Sequence, residues 1–156
     1  MDYEESNITF YNLSLDIDIV RLQAEVVRKF NTTADFFPLR SETHGEEVIH
    51  PDAVDYGFNQ LFVEEKYDTV LLLDVDCIPL NAYALEYTFE QAEKGKLIGN
   101  VQRGMHLDND EHNYVAPSAF CLTRQMYEDF GRYQLNLIIG RLIVVDIIPM
   151  QHKKED

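Results

Sequence analysis

Only two cysteines occur in the 156 residues, Cys77 and Cys121. Each stands in an apolar segment with no CxxC spacing, so neither a disulfide framework nor a zinc site is indicated, and both read as buried thiols. Basic residues are also scarce. Thirteen Lys and Arg against twenty-eight Asp and Glu leave a formal charge of -15, which repels a phosphate backbone or an anionic membrane surface over most of the molecule. Nucleic acid is therefore excluded as a natural partner, and the acidity reads as a solvated, self-repelling surface. Met1 to Asn7 is acidic and lacks the apolar core of a secretory signal. No apolar run reaches the length of a membrane span, because Leu135 to Met150 is interrupted by Gly140, Arg141, Asp146 and Pro149. A cytoplasmic protein without a transmembrane segment is expected.

What is present is the composition of a folded domain. The hydrophobic fraction is 46%, with nine Tyr and nine Phe, far from that of a disordered chain, and the length suits a single domain over residues 1–156. Strand and helix signals alternate along it. Ile8 to Leu13 is β-rich. Ser14 can cap a helix with Ile19, Leu22, Val26 and Phe30 at helical spacing and Val20, Ala24 and Val27 beside them. Asp35 to Leu39 reads as a second strand. After a polar loop with His44 and Gly45, Pro51 opens a helix carrying Val54, Phe58, Leu61 and Phe62 that ends near Lys66.

Thr69 to Leu73 is the continuous run Thr-Val-Leu-Leu-Leu, the pattern of a strand covered on both faces. Asn81 caps the next helix, Gly95 supplies its left-handed C-terminal residue, and Lys96 to Val101 is another strand. A polar loop, Gln102 to Asn113, leads to the apolar stretch Ala116 to Leu122 and a short helix, Thr123 to Phe130, stopped by Gly131. The order predicts an α/β fold with a mostly parallel sheet flanked by helices. In such sheets ligands bind beyond the carboxyl ends of the strands.

Asp74 and Asp76 occupy such an end. Two carboxylates one residue apart, just past a buried strand, need a counter-ion or strong hydrogen bonding. Hard oxygen donors of this kind suit Mg²⁺ or Mn²⁺, and such an ion commonly bridges one or two carboxylates to substrate phosphates. A diphosphate is the natural second ligand.

The run Thr69-Val70-Leu71-Leu72-Leu73-Asp74-Val75-Asp76-Cys77-Ile78-Pro79-Leu80-Asn81 resembles the strand and DxD motif of GT-A fold glycosyltransferases. The resemblance extends over about residues 8–131 and implies a GT-A-like (Rossmann-like) domain. It further implies a metal-dependent transferase that moves a sugar from a nucleoside-diphosphate sugar to a glycan, protein or lipid acceptor. Carried over, Asp74 and Val75 would bind the nucleotide sugar, and Asp74 with Asp76 the metal. Asn12, at the end of the first strand, would approach the nucleotide base, and His44 the nucleotide or its phosphates. Arg103 is a candidate phosphate contact. The loop Gln102 to Asn113 offers His106 and His112 as third metal ligands and Asp108, Asp110 or Glu111 as a general base for an acceptor hydroxyl. His152 is a further third-ligand candidate.

Only eighty residues follow Asp76, so the C-terminal part reads as short or truncated. A catalytically incomplete nucleotide-sugar-binding module is the alternative. A haloacid-dehalogenase-like phosphatase also places DxD after an apolar strand, but it expects Gly-Thr where Cys77-Ile78 stand here.

Overall fold

A computed structural model of the chain describes residues 5–11, 17–31, 33–40, 42–43, 46–47, 50–107 and 110–132. Its elements run β1 (Glu5–Tyr11), α1 (Ile17–Phe30), β2 (Asp35–Arg40), β3 (Glu42–Thr43), β4 (Glu46–Glu47), α2 (His50–Asn59), β5 (Thr69–Asp74), α3 (Ala82–Glu93), β6 (Ile98–Leu107), β7 (Asp110–Thr123) and α4 (Arg124–Asp129).

Five strands form one sheet in the order β2-β1-β5-β7-β6, and β3 and β4 make a separate antiparallel ribbon. The expectation of a mostly parallel, Rossmann-like sheet is overturned. β1 pairs parallel with β2 and β5, but β7 pairs antiparallel with both β5 and β6. The cause lies in the polar run read as a loop. Gln102 to Leu107 belongs to β6 and Asp110 to Asn113 to β7, so two long strands pair antiparallel as a hairpin. That hairpin occupies the flank of β5 where a parallel sheet would continue.

β5 is the central strand, and Thr69, Val70, Leu71, Leu72 and Leu73 are all buried. Alternate residues face opposite layers. Val70 and Leu72 join Val54, Phe58, Leu61, Phe62, Phe120 and Tyr127 on one side. Leu71 and Leu73 join Val27, Leu85, Phe89, Ala92 and Cys121 on the other. Each fully buried Leu or Phe contributes about 1.5–3 kcal/mol by leaving water, so burial on both faces fixes β5 and its carboxyl end firmly.

The helices take their boundaries from local chemistry. α2 continues as a π-helical turn, Gln60–Glu64, closed by Glu65 N–H donating to the Gln60 carbonyl at 2.9 Å. Lys66, at φ 65°, ends it at the expected place. The widened turn sets Phe62 in an aromatic cluster, its ring 5.6 Å from Phe58 and 5.1 Å from Tyr127. Asn31 stops α1 by accepting the N–H groups of Thr33 and Ala34 at 3.1 and 3.2 Å. Asn81 caps α3 as expected, accepting the Ala84 N–H at 2.9 Å. Gly95 and Gly131 both have positive φ, 79° and 83°.

α1 is rotated from the expected stripe. Val20, Gln23, Ala24 and Val27 face the core, whereas Ile19 and Leu22 are exposed. A polar side chain therefore occupies an inward position.

Candidate functional site

The residues Asp74 to Cys77 form a tight turn at the carboxyl end of β5. Its closing bond runs from the Cys77 N–H to the Asp74 carbonyl at 2.9 Å, which leaves Val75 and Asp76 as the central residues. Asp74 is half-buried and Asp76 exposed. The register sets Phe10 of β1 opposite Asp74, and Ala119 of β7 opposite Leu73. The turn thus lies between the end of β1 and the middle of β7, where the sheet changes from parallel to antiparallel pairing. α3 begins at Ala82 and leads the chain away.

Gln23 reaches this turn from α1. Its Nε2 donates to the carbonyl of Asp74 at 2.7 Å and to that of Cys77 at 2.8 Å, and the side chain is fully buried. Two hydrogen bonds from a buried amide contribute about 0.5–1.5 kcal/mol each. They tie both ends of the turn to the helix.

Cys77 reports the local electrostatics. Burial pushes its thiol above the ordinary value, the charges of Asp74 and then Asp76 push it further, and hydrogen bonding to Ser118 and to the Asp74 backbone opposes them. Both carboxylates therefore act on one small volume. Among the described residues no ion pair involves Asp76, so no side-chain cation occupies the position a positive ligand would take. Hard oxygen donors such as these two carboxylates suit Mg²⁺ or Mn²⁺. The described residues hold no group of three or more His, Cys, Asp or Glu that could grip a metal ion. A metal here would take its other ligands from phosphate and water, as Mg²⁺ commonly does.

Beside the turn a cavity of about 420 Å³ opens between α3 and the β6–β7 hairpin. Leu73, Cys77, Ile78, Pro79, Ala119 and Asn100 are among its lining. Asn100 Nδ2 donates to Ser118 Oγ at 3.2 Å, which gives a mostly apolar hollow a polar corner.

The other candidates fall in three groups. Asn12, His44, Asp108 and His152 lie outside the described residues. Val75 is in the turn. His106, Asp110 and His112 lie on the far part of the hairpin, where Gly104 pairs with His112 and Leu107 with Asp110. His112 stands seven positions before Ala119, and at about 3.3 Å per residue a straight strand carries it roughly 23 Å along. Only a curl of the bulged hairpin would return it to Asp76. Arg103 and Glu111 meet on that hairpin, Nε to Oε1 at 2.7 Å. Each is thus engaged with the other rather than with the aspartate turn.

Gln23, Ser118 and Asn100 were not singled out by the sequence reading. For Gln23 a signal existed: it stands three residues after Val20 and four before Val27, a polar residue on the stripe that the core uses. Ser118 and Asn100 gave none, because the hairpin pairing that brings them together runs through the segment read as a loop.

No protein-family model matches the chain, and no curated protein matches it. Solved structures do share its fold. A197 from STIV aligns with a TM-score of 0.54 and 11% identity over 85% of this chain and 75% of its own. The apo-form glycosyltransferase GlyE of Streptococcus pneumoniae TIGR4 aligns with a TM-score of 0.52 and 12% identity over 99% of this chain. The chain spans 41% of the length of GlyE. No helix among the described residues is long and apolar enough to cross a membrane. At these identities the likeness concerns architecture alone, and the chain has a glycosyltransferase-like fold.

Proposed function

We propose that this domain is a glycosyltransferase that binds a nucleoside-diphosphate sugar through a divalent ion, Mn²⁺ or Mg²⁺, held by Asp74 and Asp76. The observation that carries the reading is the Asp74 to Cys77 turn. It presents two carboxylates with no cationic partner among the described residues for Asp76, at the carboxyl end of the central strand of a glycosyltransferase-like fold. When bound, such an ion stabilises negative charge on the departing diphosphate, an effect worth several kcal/mol of barrier. The chain's own part is to aim the two carboxylates, to exclude water on the apolar side of the turn, and to present Asn100 at the polar corner of the cavity.

A second reading, a nucleotide-sugar-binding module without transfer activity, is favoured by the state of the hairpin. Glu111 is held in an exposed ion pair with Arg103 on the far part of the hairpin, which does not place a general base beside the aspartate turn. Calorimetric titration of UDP- and GDP-sugars with and without Mn²⁺ tests what the two readings share. Metal-dependent binding that disappears in Asp76→Asn is expected, and binding that ignores both the metal and this substitution would overturn both. Release or transfer of the sugar then separates enzyme from binding module.

A further inference from the structure

We propose that Gln23 is a positioning residue for the aspartate turn: α1 sets the aim of Asp74 and Asp76 through the two hydrogen bonds of one buried amide. The inference rests on the metal-binding reading above. Three observations carry it. First, Gln23 is fully buried on a helix whose other inward residues are Val20, Ala24 and Val27, so no general rule of packing calls for an amide there. Second, its Nε2 spans the turn end to end, to the carbonyls of residues 74 and 77. Third, its Oε1 is buried without a hydrogen-bond partner among the described residues. A polar group in that state is unfavourable, so the amide is retained for what its nitrogen holds.

The geometry gives the hold a direction. The Asp74 carbonyl receives the Cys77 N–H at 2.9 Å as well as Gln23 at 2.7 Å, and the Cys77 carbonyl receives Gln23 at 2.8 Å. The backbone on either side of Val75 and Asp76 is thereby fixed to α1. Asp76, though exposed, is left with little freedom beyond its own side-chain rotations, which is the condition a two-carboxylate clamp needs to meet a metal at fixed distance.

The test compares Gln23→Met, which keeps the length and apolar bulk but removes the donor, with Val20→Ala, one turn earlier on the same buried face and outside the core cluster that Cys77 packs against. Both are made in the full chain. Mn²⁺ with UDP is titrated into each at a temperature where both are folded, and exchange of the Cys77 amide hydrogen is followed in the metal-free proteins. The expected result is at least tenfold weaker Mn²⁺·UDP binding and at least tenfold faster Cys77 exchange in Gln23→Met, with both effects clearly smaller in Val20→Ala. Equal affinity in Gln23→Met and the parent overturns the inference, as does an equal loss in Val20→Ala. If the parent binds no Mn²⁺·UDP, the metal-binding reading is lost, and unchanged Cys77 exchange in Gln23→Met then removes the positioning role as well.

Discussion

Gly99→Ala is expected to destabilise the domain through space alone. Gly99 lies on β6 opposite Phe120, beside a register shift between Gly99 and Val101. A Cβ there would stand 2.4 Å from the Ala119 carbonyl oxygen, 2.5 Å from Val115 Cγ1 and 2.8 Å from Phe120 Cβ. The nearest of these is main chain, so relief requires β7 itself to retreat from β6. Overpacking of this sort costs about 1–3 kcal/mol, and a main-chain clash belongs at the upper end. Removing a glycine from the unfolded chain returns about 0.4–1 kcal/mol, which leaves a net loss of about 2 kcal/mol. For a domain of this size that lowers Tm by roughly 4–8 °C. Gly95→Ala provides the contrast: nothing lies within 4 Å of its Cβ, but φ is 79°, so it should cost about 1–2 kcal/mol through backbone strain. Thermal melts followed by circular dichroism, with urea midpoints beside them, give both numbers. A Gly99→Ala protein as stable as the parent would refute the packing argument.

Three further outcomes are expected. Arg124 donates to the carbonyls of Lys66 and Tyr67 and to the carboxylate of Asp68; the ion pair is partly exposed, so Arg124→Met should cost about 1–2 kcal/mol, mostly from the lost carbonyl bonds, as read from the urea midpoint. Asn81→Ala removes the α3 cap and should cost about 1 kcal/mol in the same assay. Burial and the two aspartates hold the Cys77 thiol above its ordinary value, so iodoacetamide should modify it more slowly at pH 8 than a free cysteine peptide. Asp76→Asn removes one of the raising charges and should speed the reaction. The sign for stability follows from the same shift: the folded thiol keeps its proton longer than the unfolded one. Its contribution is complete below the unfolded value and is lost as pH climbs through the alkaline range to the folded one.

The local features were legible because their causes are local. The apolar run Thr69 to Leu73 could only be a covered strand, and Asn81, Gly95 and Gly131 act through their own backbone neighbours. The hairpin was not legible. Its outer strand β6 is a sheet edge, and its residues from Gln102 onward pair with polar partners, Arg103 with Glu111 and Gln102 with Tyr114. Such a strand lacks the alternation of apolar and polar residues that marks a half-buried one, and it reads as a loop. The expectation of a mostly parallel sheet followed from that one misreading. Gln23 was hidden for a different reason: its partners are carbonyl groups more than fifty positions away, and main-chain acceptors leave no mark in a sequence.

The pairing of β1 with β5 also bears on how the molecule comes together. The β6–β7 hairpin joins neighbours in the chain, whereas β1 meets β5 only after α1, β2 and α2 have intervened, with Glu5 opposite Thr69. Long loops are slow to close, so such a ladder forms late relative to a hairpin. The aspartate turn leans on α1, which arrives with β1. The turn that carries the carboxylates is therefore completed only by parts of the chain distant from it in sequence, β1 beside it and Gln23 of α1 behind it.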